Sequence, residues 1–203
     1  RQQDGLYMSF ARVEGAQPTM SGAHVIAVET DTSKGLFSFS IVGLPDKAVE
    51  EARDRVSAAI KNSGYEGPKQ KNQKVTVALA PAELKKEGAL FDIPIALSYL
   101  LAVGDIRMDP KGKLFVGELA LDGSVRPVRG ILSIAREAKL RGITELYVPY
   151  QNAEEAGLVD GLNIYPIESL RTLLDHCAGK HTIQPYQQKS LESLTPHYEH
   201  DIS

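Results

Sequence analysis

Between residues 75 and 101 the hydrophobic pattern of this chain changes its period. Val75, Val77 and Leu79 alternate with Thr76, Ala78 and Ala80, the two-residue repeat of a strand with one face turned inward. Pro81 stops the alternation and a polar turn runs from Glu83 to Gly88. Beyond it Ile93, Ile95, Ala96, Leu97, Tyr99, Leu100 and Leu101 follow Asp92 with almost no polar interruption. Asp92 suits an N-cap and Pro94 the first turn of a helix, and a helix apolar nearly all round is expected to be buried and to run on to Gly104. A strand that feeds a helix through a charged turn is a common seat of chemistry in α/β folds, because the helix start offers unpaired amides and a positive dipole end.

The same periods place the other elements. Residues 6–13 and 23–30 read as strands, and the DTSKG run at 31–35 as the turn of a hairpin whose second strand, 36–44, puts Phe37, Phe39 and Ile41 on one side. Asp46 is the expected cap of a helix striped by Ala48, Val49, Ala52, Val56, Ala59 and Ile60 and closed by Lys61 and Gly64. A polar loop, 64–74, leads back to the central strand. A strand is expected over 114–121, a hairpin turn at Asp122-Gly123 and a return strand over 125–128. Ile131, Ile134, Ala135 and Ala138 stripe a further helix ended by Gly142. A short strand at 145–148, a short helix at 151–156 and a strand at 162–165 follow. Ile167, Leu170, Leu173, Leu174 and Cys177 then mark the last helix. Strands that dominate the first third and alternate with helices afterwards predict an α/β (α+β) fold, a mixed sheet covered by helices, in one domain over residues 6–179. Residues 1–5 read as an appended remnant, and residues 180–203, without apolar periodicity, as a linker.

Composition adds mostly exclusions. A net charge of −3 over 203 residues gives no global pull toward a polyanion, so nucleic acid would be met by a local patch. Lys69, Lys71 and Lys74, with Tyr65 upstream, form one candidate; Arg126 and Arg129 around Pro127, continued by Arg136, Lys139 and Arg141, form a second. Lys85 and Lys86, near the start of the central helix, are candidates for holding an anion. The single cysteine, Cys177, has no internal partner and falls on an apolar stripe, which points to packing. No P-loop pattern is present, so ATP is not expected to bind in that way. No metal site is expected: His197, Glu199 and His200 fall in the linker, and His176, Cys177 and His181 make too few ligands. Without a long apolar run or a basic-then-apolar leader, the chain is expected to be cytoplasmic with no membrane partner.

Two long motifs carry a family resemblance. Residues 41–55, IVGLPDKAVEEARDR, with IKNSG at 60–64, and residues 79–97, LAPAELKKEGALFDIPIAL, resemble the N-terminal domain of the ComM/YifB family of Mg-chelatase-like AAA+ ATPases. The resemblance implies a fold like the Lon protease catalytic domain, of the ribosomal protein S5 domain 2 type. In the Lon pattern a Ser nucleophile is activated by a Lys; those two positions fall on Leu90 and Leu132 here, so no catalytic residue is expected. It also implies that the linker leads to an AAA+ domain, and that the full-length protein is a hexamer using ATP and Mg to process DNA, as in branch migration during natural transformation. This domain would then contribute to assembly or guide DNA. The alternative is a Lon-like peptidase or a metal-chelatase-associated enzyme with an unrecognised site, for which Ser98 and Ser133 are the candidate hydroxyls.

Overall fold

The computed structural model describes residues 9–188. The alternating segments of the first third pair into one sheet. β1 (Phe10–Pro18) runs antiparallel to β2 (Ala23–Lys34), in register from Phe10 against Asp31 to Pro18 against Ala23. β3 (Ser38–Val42) and β4 (Gln73–Ala80) complete the order β1-β2-β4-β3. β4 is antiparallel to β2, and β3 is parallel to β4. The expected hairpin at 31–35 is corrected on both counts. β2 continues through those residues because Thr30 and Thr32 keep the inward alternation begun by Ile26 and Val28, and the strand that follows pairs with β4 instead of folding back. The first strand also runs later than expected, to Pro18; residues 6–8 lie outside the described residues.

Parallel pairing of β3 with β4 requires a crossover, and α1 (Asp46–Asn62) supplies it, burying Ala52, Val56, Ala59 and Ile60. Pro45, not Asp46, holds the cap position, and Asp46 is the first helical residue, where its carboxylate faces the positive end of the helix dipole. A 3-10 turn, Gly88–Phe91, leads into α2 (Asp92–Ala102), in which every residue except Leu101 is buried. Asp92 therefore sits inside the helix and not at its cap. α2 packs on β1, β2 and α1, closing the main core over Val28, Val75, Val77 and Leu79.

The strand expected over 114–121 is two strands in two different sheets. β5 (Lys113–Phe115) pairs with β8 (Glu145–Pro149), whereas β6 (Glu118–Leu119) pairs with β7 (Val125–Arg126) in a hairpin. The break falls at Gly117, where a Cβ would lie 2.6 Å from Ile93 Cδ1 and 2.9 Å from Val125 Cγ1; only glycine lets the chain pass so close to the start of α2. β9 (Asn163–Ile167) joins the other side of β8, giving an all-parallel sheet β5-β8-β9. Its crossovers contain α3 (Ile131–Leu140) and the short α4 (Ala153–Ala156). Ile167 thus ends a strand, and the last helix, α5 (Leu170–Cys177), starts after a Ser169 cap that accepts the Thr172 N–H at 3.1 Å. Phe115, Tyr147 and Tyr165 occupy one cross-strand row and stack at centroid distances of 4.5 and 4.7 Å.

After α5 the chain lies back on this sheet. The Lys180 N–H donates to Asp175 O at 2.9 Å, the Ile183 N–H to His176 Nδ1 at 2.9 Å and the Tyr186 N–H to Ile164 O at 2.7 Å. Because Nδ1 accepts, the neutral His176 ring carries its proton on Nε2, 3.3 Å from the hydroxyl of Tyr147, which donates to Glu145 at 3.0 Å. Burial holds the His176 imidazole below its ordinary value, against the pull of Glu145. A histidine depressed in the folded state contributes its bond fully above the ordinary value and loses it as pH falls through the folded one. Protonated Nδ1 cannot accept from Ile183. The protection factor of the Ile183 amide in hydrogen exchange is expected to drop about fivefold as pH falls from neutrality through the folded value of His176, the worth of a hydrogen bond of about 1 kcal/mol. Protection unchanged across that range would show that the ring does not hold the segment.

Candidate functional site

The turn between β4 and α2, the region singled out by its pattern, is fastened from β1. The Gln17 side chain is 6% exposed; its Nε2 donates to Lys85 O at 2.7 Å and its Oε1 accepts the Glu87 N–H at 3.0 Å. These two bonds bracket Lys86. Lys85 is exposed, whereas Lys86 turns inward to 3% exposure, its Nζ without a hydrogen-bond partner in the described structure. The amine lies under Gly43, where a Cβ would stand 3.4 Å from Nζ and 2.7 Å from Leu79 O. Burial pushes the Lys86 amine below its ordinary value, with Glu83 opposing. The two lysines therefore do not converge on one anion.

Two residues before α2 begins, Leu90 is buried; Leu132, in the first turn of α3, is half-buried. Neither side chain takes or gives a proton, so the positions that a Ser-Lys dyad would use hold packing groups. The candidate hydroxyl of Ser98 is fully buried and donates to Ile95 O at 3.1 Å, while Thr30 Oγ1 lies 2.6 Å from it. With its own proton spent on Ile95 it accepts from Thr30, and no base stands behind it. Ser133 lies half-buried on α3.

Asp92 is the strongest electrostatic feature. Its carboxylate is fully buried and accepts from Arg55 Nε at 2.7 Å and Nη2 at 3.0 Å, and from the Leu119 N–H at 3.0 Å. Burial pushes the carboxyl up to about 6, although Arg55 and the Leu119 amide pull it down. Arg55 is held above its ordinary value by the same pair. One carboxylate thereby ties α1, α2 and β6 together.

The basic candidates lie apart. Lys69 is exposed in the 3-10 turn Pro68–Lys71, Lys71 is committed to Asp105 at 2.7 Å, and Lys74 belongs to β4, its stem along Gly35. Lys74 is thus a strand residue and not part of the preceding loop. Arg126 on β7, Arg129 before α3 and Arg136 on α3 are all exposed and, among the described residues, without an ion pair within 4.0 Å. Arg126 lines a cleft of about 500 Å³ together with Asp122, Ser124, Tyr150, Gln151 and Glu168. The sequence reading missed Tyr150, Gln151 and Glu168, since only the parallel arrangement of β8 and β9 brings the residues after each strand to one place. The triplet of His176, Cys177 and His181 gathers no metal cluster among the described residues, and His197, Glu199 and His200 lie outside them. No helix among the described residues is long and apolar enough to cross a membrane.

A profile described as Subunit ChlI of Mg-chelatase matches residues 28–152, from the middle of β2 to the start of α4. The chain belongs to that Mg-chelatase-like family. It is 40% identical over 179 residues to the protein YifB of Escherichia coli, covering 88% of this chain and 34% of that one. It is 37% identical over 174 residues to the competence protein ComM of Haemophilus influenzae, covering 85% and 33%. A shorter match, 28% over 97 residues, covers 47% of this chain and 17% of Lon protease 2 of Bacillus subtilis. The chain thus spans about a third of the length of its ComM and YifB relatives. The expected ComM/YifB membership and the α/β fold class both hold.

The Asp92 pair sets a pH dependence with a definite sign. A carboxyl raised in the folded state contributes stability that is full below the ordinary carboxylate range and is lost as pH rises through about 6. Arg55→Met removes the partner that pulls the value down, leaving a buried carboxylate uncompensated. The loss is expected to be about 3 kcal/mol at pH 7.5 and clearly smaller at pH 5, measured by urea unfolding at both. An equal loss at both pH values would mean that the pair does not carry the charge of the buried carboxyl.

Proposed function

We propose that this chain is a DNA-guiding module of a longer AAA+ ATPase of the ComM/YifB type. The observation that carries the reading is its 37% identity to a competence protein over most of this chain, joined to three exposed arginines, Arg126, Arg129 and Arg136, that have no ion pair within 4.0 Å among the described residues. ATP and Mg belong to the longer protein, which assembles as a hexamer in the cytoplasm and works on branched DNA. The module needs no catalytic group of its own, in keeping with Leu90 and Leu132 at the dyad positions.

The two basic candidates differ in how much charge they have free. Lys71 is already paired with Asp105 at 2.7 Å, whereas the arginines have no ion pair within 4.0 Å among the described residues, Asp122 acting on Arg126 from further away. A single strand meeting the arginine set loses affinity as salt rises, with a slope of about 0.7 per phosphate neutralised. The triple replacement Arg126→Ala, Arg129→Ala, Arg136→Ala is expected to weaken single-stranded or branched DNA by about tenfold or more at low salt and to flatten the slope by about 2, read by fluorescence anisotropy of the 203-residue chain. Lys69→Ala, Lys71→Ala, Lys74→Ala is expected to weaken it less. No DNA binding even at low salt, or a larger loss from the lysine set, would overturn the guiding role assigned to the arginines.

A further inference from the structure

The sheet β5-β8-β9 is parallel throughout, so the carboxyl ends of its strands share one edge. In open α/β sheets ligands bind outside that edge where the strand order reverses; the order β5-β8-β9 has no reversal, and a separate hairpin encloses the crevice. Here the crevice is roofed by the β6–β7 hairpin and forms the cleft of about 500 Å³. Tyr150 and Gln151 follow β8 directly, and Glu168 follows β9. The roof is fixed to the strand ends by the Val125 N–H to Glu168 O at 2.9 Å and the Leu170 N–H to Gly123 O at 2.8 Å. At the exit of the hairpin, Asn152 grips both the N–H and the carbonyl of Val128, each at 2.9 Å.

The groups in the cleft are chemically varied. The ring of Tyr150 stands 58% exposed at its mouth. Arg126 and Glu168 are exposed and have no ion pair within 4.0 Å among the described residues. Asp122 is committed locally: the Ser124 N–H and hydroxyl donate to it at 2.9 and 2.7 Å and hold its carboxyl below the usual range. A slightly larger cleft of about 530 Å³ lies beside Arg12 and Arg141, but those guanidiniums already face Glu14 at 3.8 Å and Glu137 at 3.0 Å.

We propose that the cleft at the ends of β8 and β9 receives an unpaired nucleobase bearing an exocyclic amino group, within a single strand whose phosphate meets Arg126. The proposal rests on the DNA-guiding reading and names the site where a base would be held. A flat aromatic face in water is a stacking platform for any base. The Glu168 carboxylate and the Gln151 carbonyl are acceptors, and an amino group such as cytosine N4 is the donor that a carboxylate selects; thymine has none. A guanidinium beside them suits a phosphate. A cationic peptide side chain would suit Tyr150 and Glu168 but would face Arg126 with like charge, as a phosphate would face Asp122 and Glu168; the strand is preferred because it alone uses the ring, the acceptors and the guanidinium together.

The test is anisotropy of the 203-residue chain with short labelled oligonucleotides of dC, dA or dT at low salt. The dC and dA strands are expected to bind about tenfold more tightly than dT, the discrimination of one good base contact. Glu168→Ala is expected to erase that preference, leaving the three strands within about twofold of one another. Tyr150→Ala is expected to weaken all three strands by about tenfold, the worth of one stacked base. Tyr150 and Glu168 are exposed, so both variants should keep the parent melting temperature, which is measured alongside. DNA binding that ignores the base and both substitutions would overturn the base pocket and leave the guiding role standing. Absence of binding to every strand would overturn the guiding role and the pocket with it. A lysine-rich peptide whose binding is lost in Glu168→Ala, while dC binding is kept, would overturn the proposal in favour of a protein partner.

Discussion

A buried carboxylate with three donors around it is the constraint on which the centre of this domain depends. Asp92 opens α2, Arg55 comes from the middle of α1 and the third donor is the Leu119 amide of β6. Apolar packing between these elements is non-directional and tolerates sliding. The fork of a guanidinium on a carboxylate does not, because both hydrogen bonds are lost on a small rotation. The pair therefore fixes the angle and height of α1 against α2, and the amide bond fixes the hairpin over both. Its net contribution to stability is small or unfavourable, since taking the carboxylate from water costs several kcal/mol, as its raised value reflects. What the arrangement contributes is a unique position for the hairpin, and the hairpin is the roof of the cleft at the ends of β8 and β9.

Close backbone approach works with that pair. At Gly117 the chain crosses the start of α2 with no room for a side chain, and the crossing divides what looks like one apolar run into β5 and β6. Had the run stayed in one sheet, Glu118 and Leu119 would have extended the parallel sheet and the hairpin would not face its strand ends. Gly43 does the corresponding service at the other side of the core, letting Lys86 tuck its amine beneath a turn that passes within contact distance of Leu79 O.

Elements governed by local pattern were legible in the sequence. The alternation of Val75, Val77 and Leu79 and the stripe of Ala52, Val56, Ala59 and Ile60 define β4 and α1 where the periods put them. Pairing and partners were not legible, because they are set by contacts distant in sequence. Nothing near residue 35 tells the chain to pass β3 to the far side of β4 and not back along β2. Asp92 reads locally as a helix cap, and only the presence of Arg55, far upstream, makes burial inside the helix tolerable. The same holds for Lys71, solvated by composition yet paired with Asp105, and for Tyr150 and Glu168, which follow separate strands and meet only through their parallel order.

The placement of charge bears on where a ligand has room. The Lon resemblance puts a nucleophile position just before α2, where Leu90 is buried, and two residues on the Asp92 carboxylate is taken up by Arg55 and the Leu119 amide. With both oxygens of the carboxylate so held, those two side chains are committed to the fold. The opposite condition holds at the ends of β8 and β9, where an aromatic ring, a guanidinium and a carboxylate face water in a fixed frame. The backbone that carries them is fixed by the Val125–Glu168 and Leu170–Gly123 bonds, so a ligand has only side chains to order. The fold has thus concentrated its internal electrostatics on holding the hairpin, and the surface that this hairpin covers is where unspent polar groups converge.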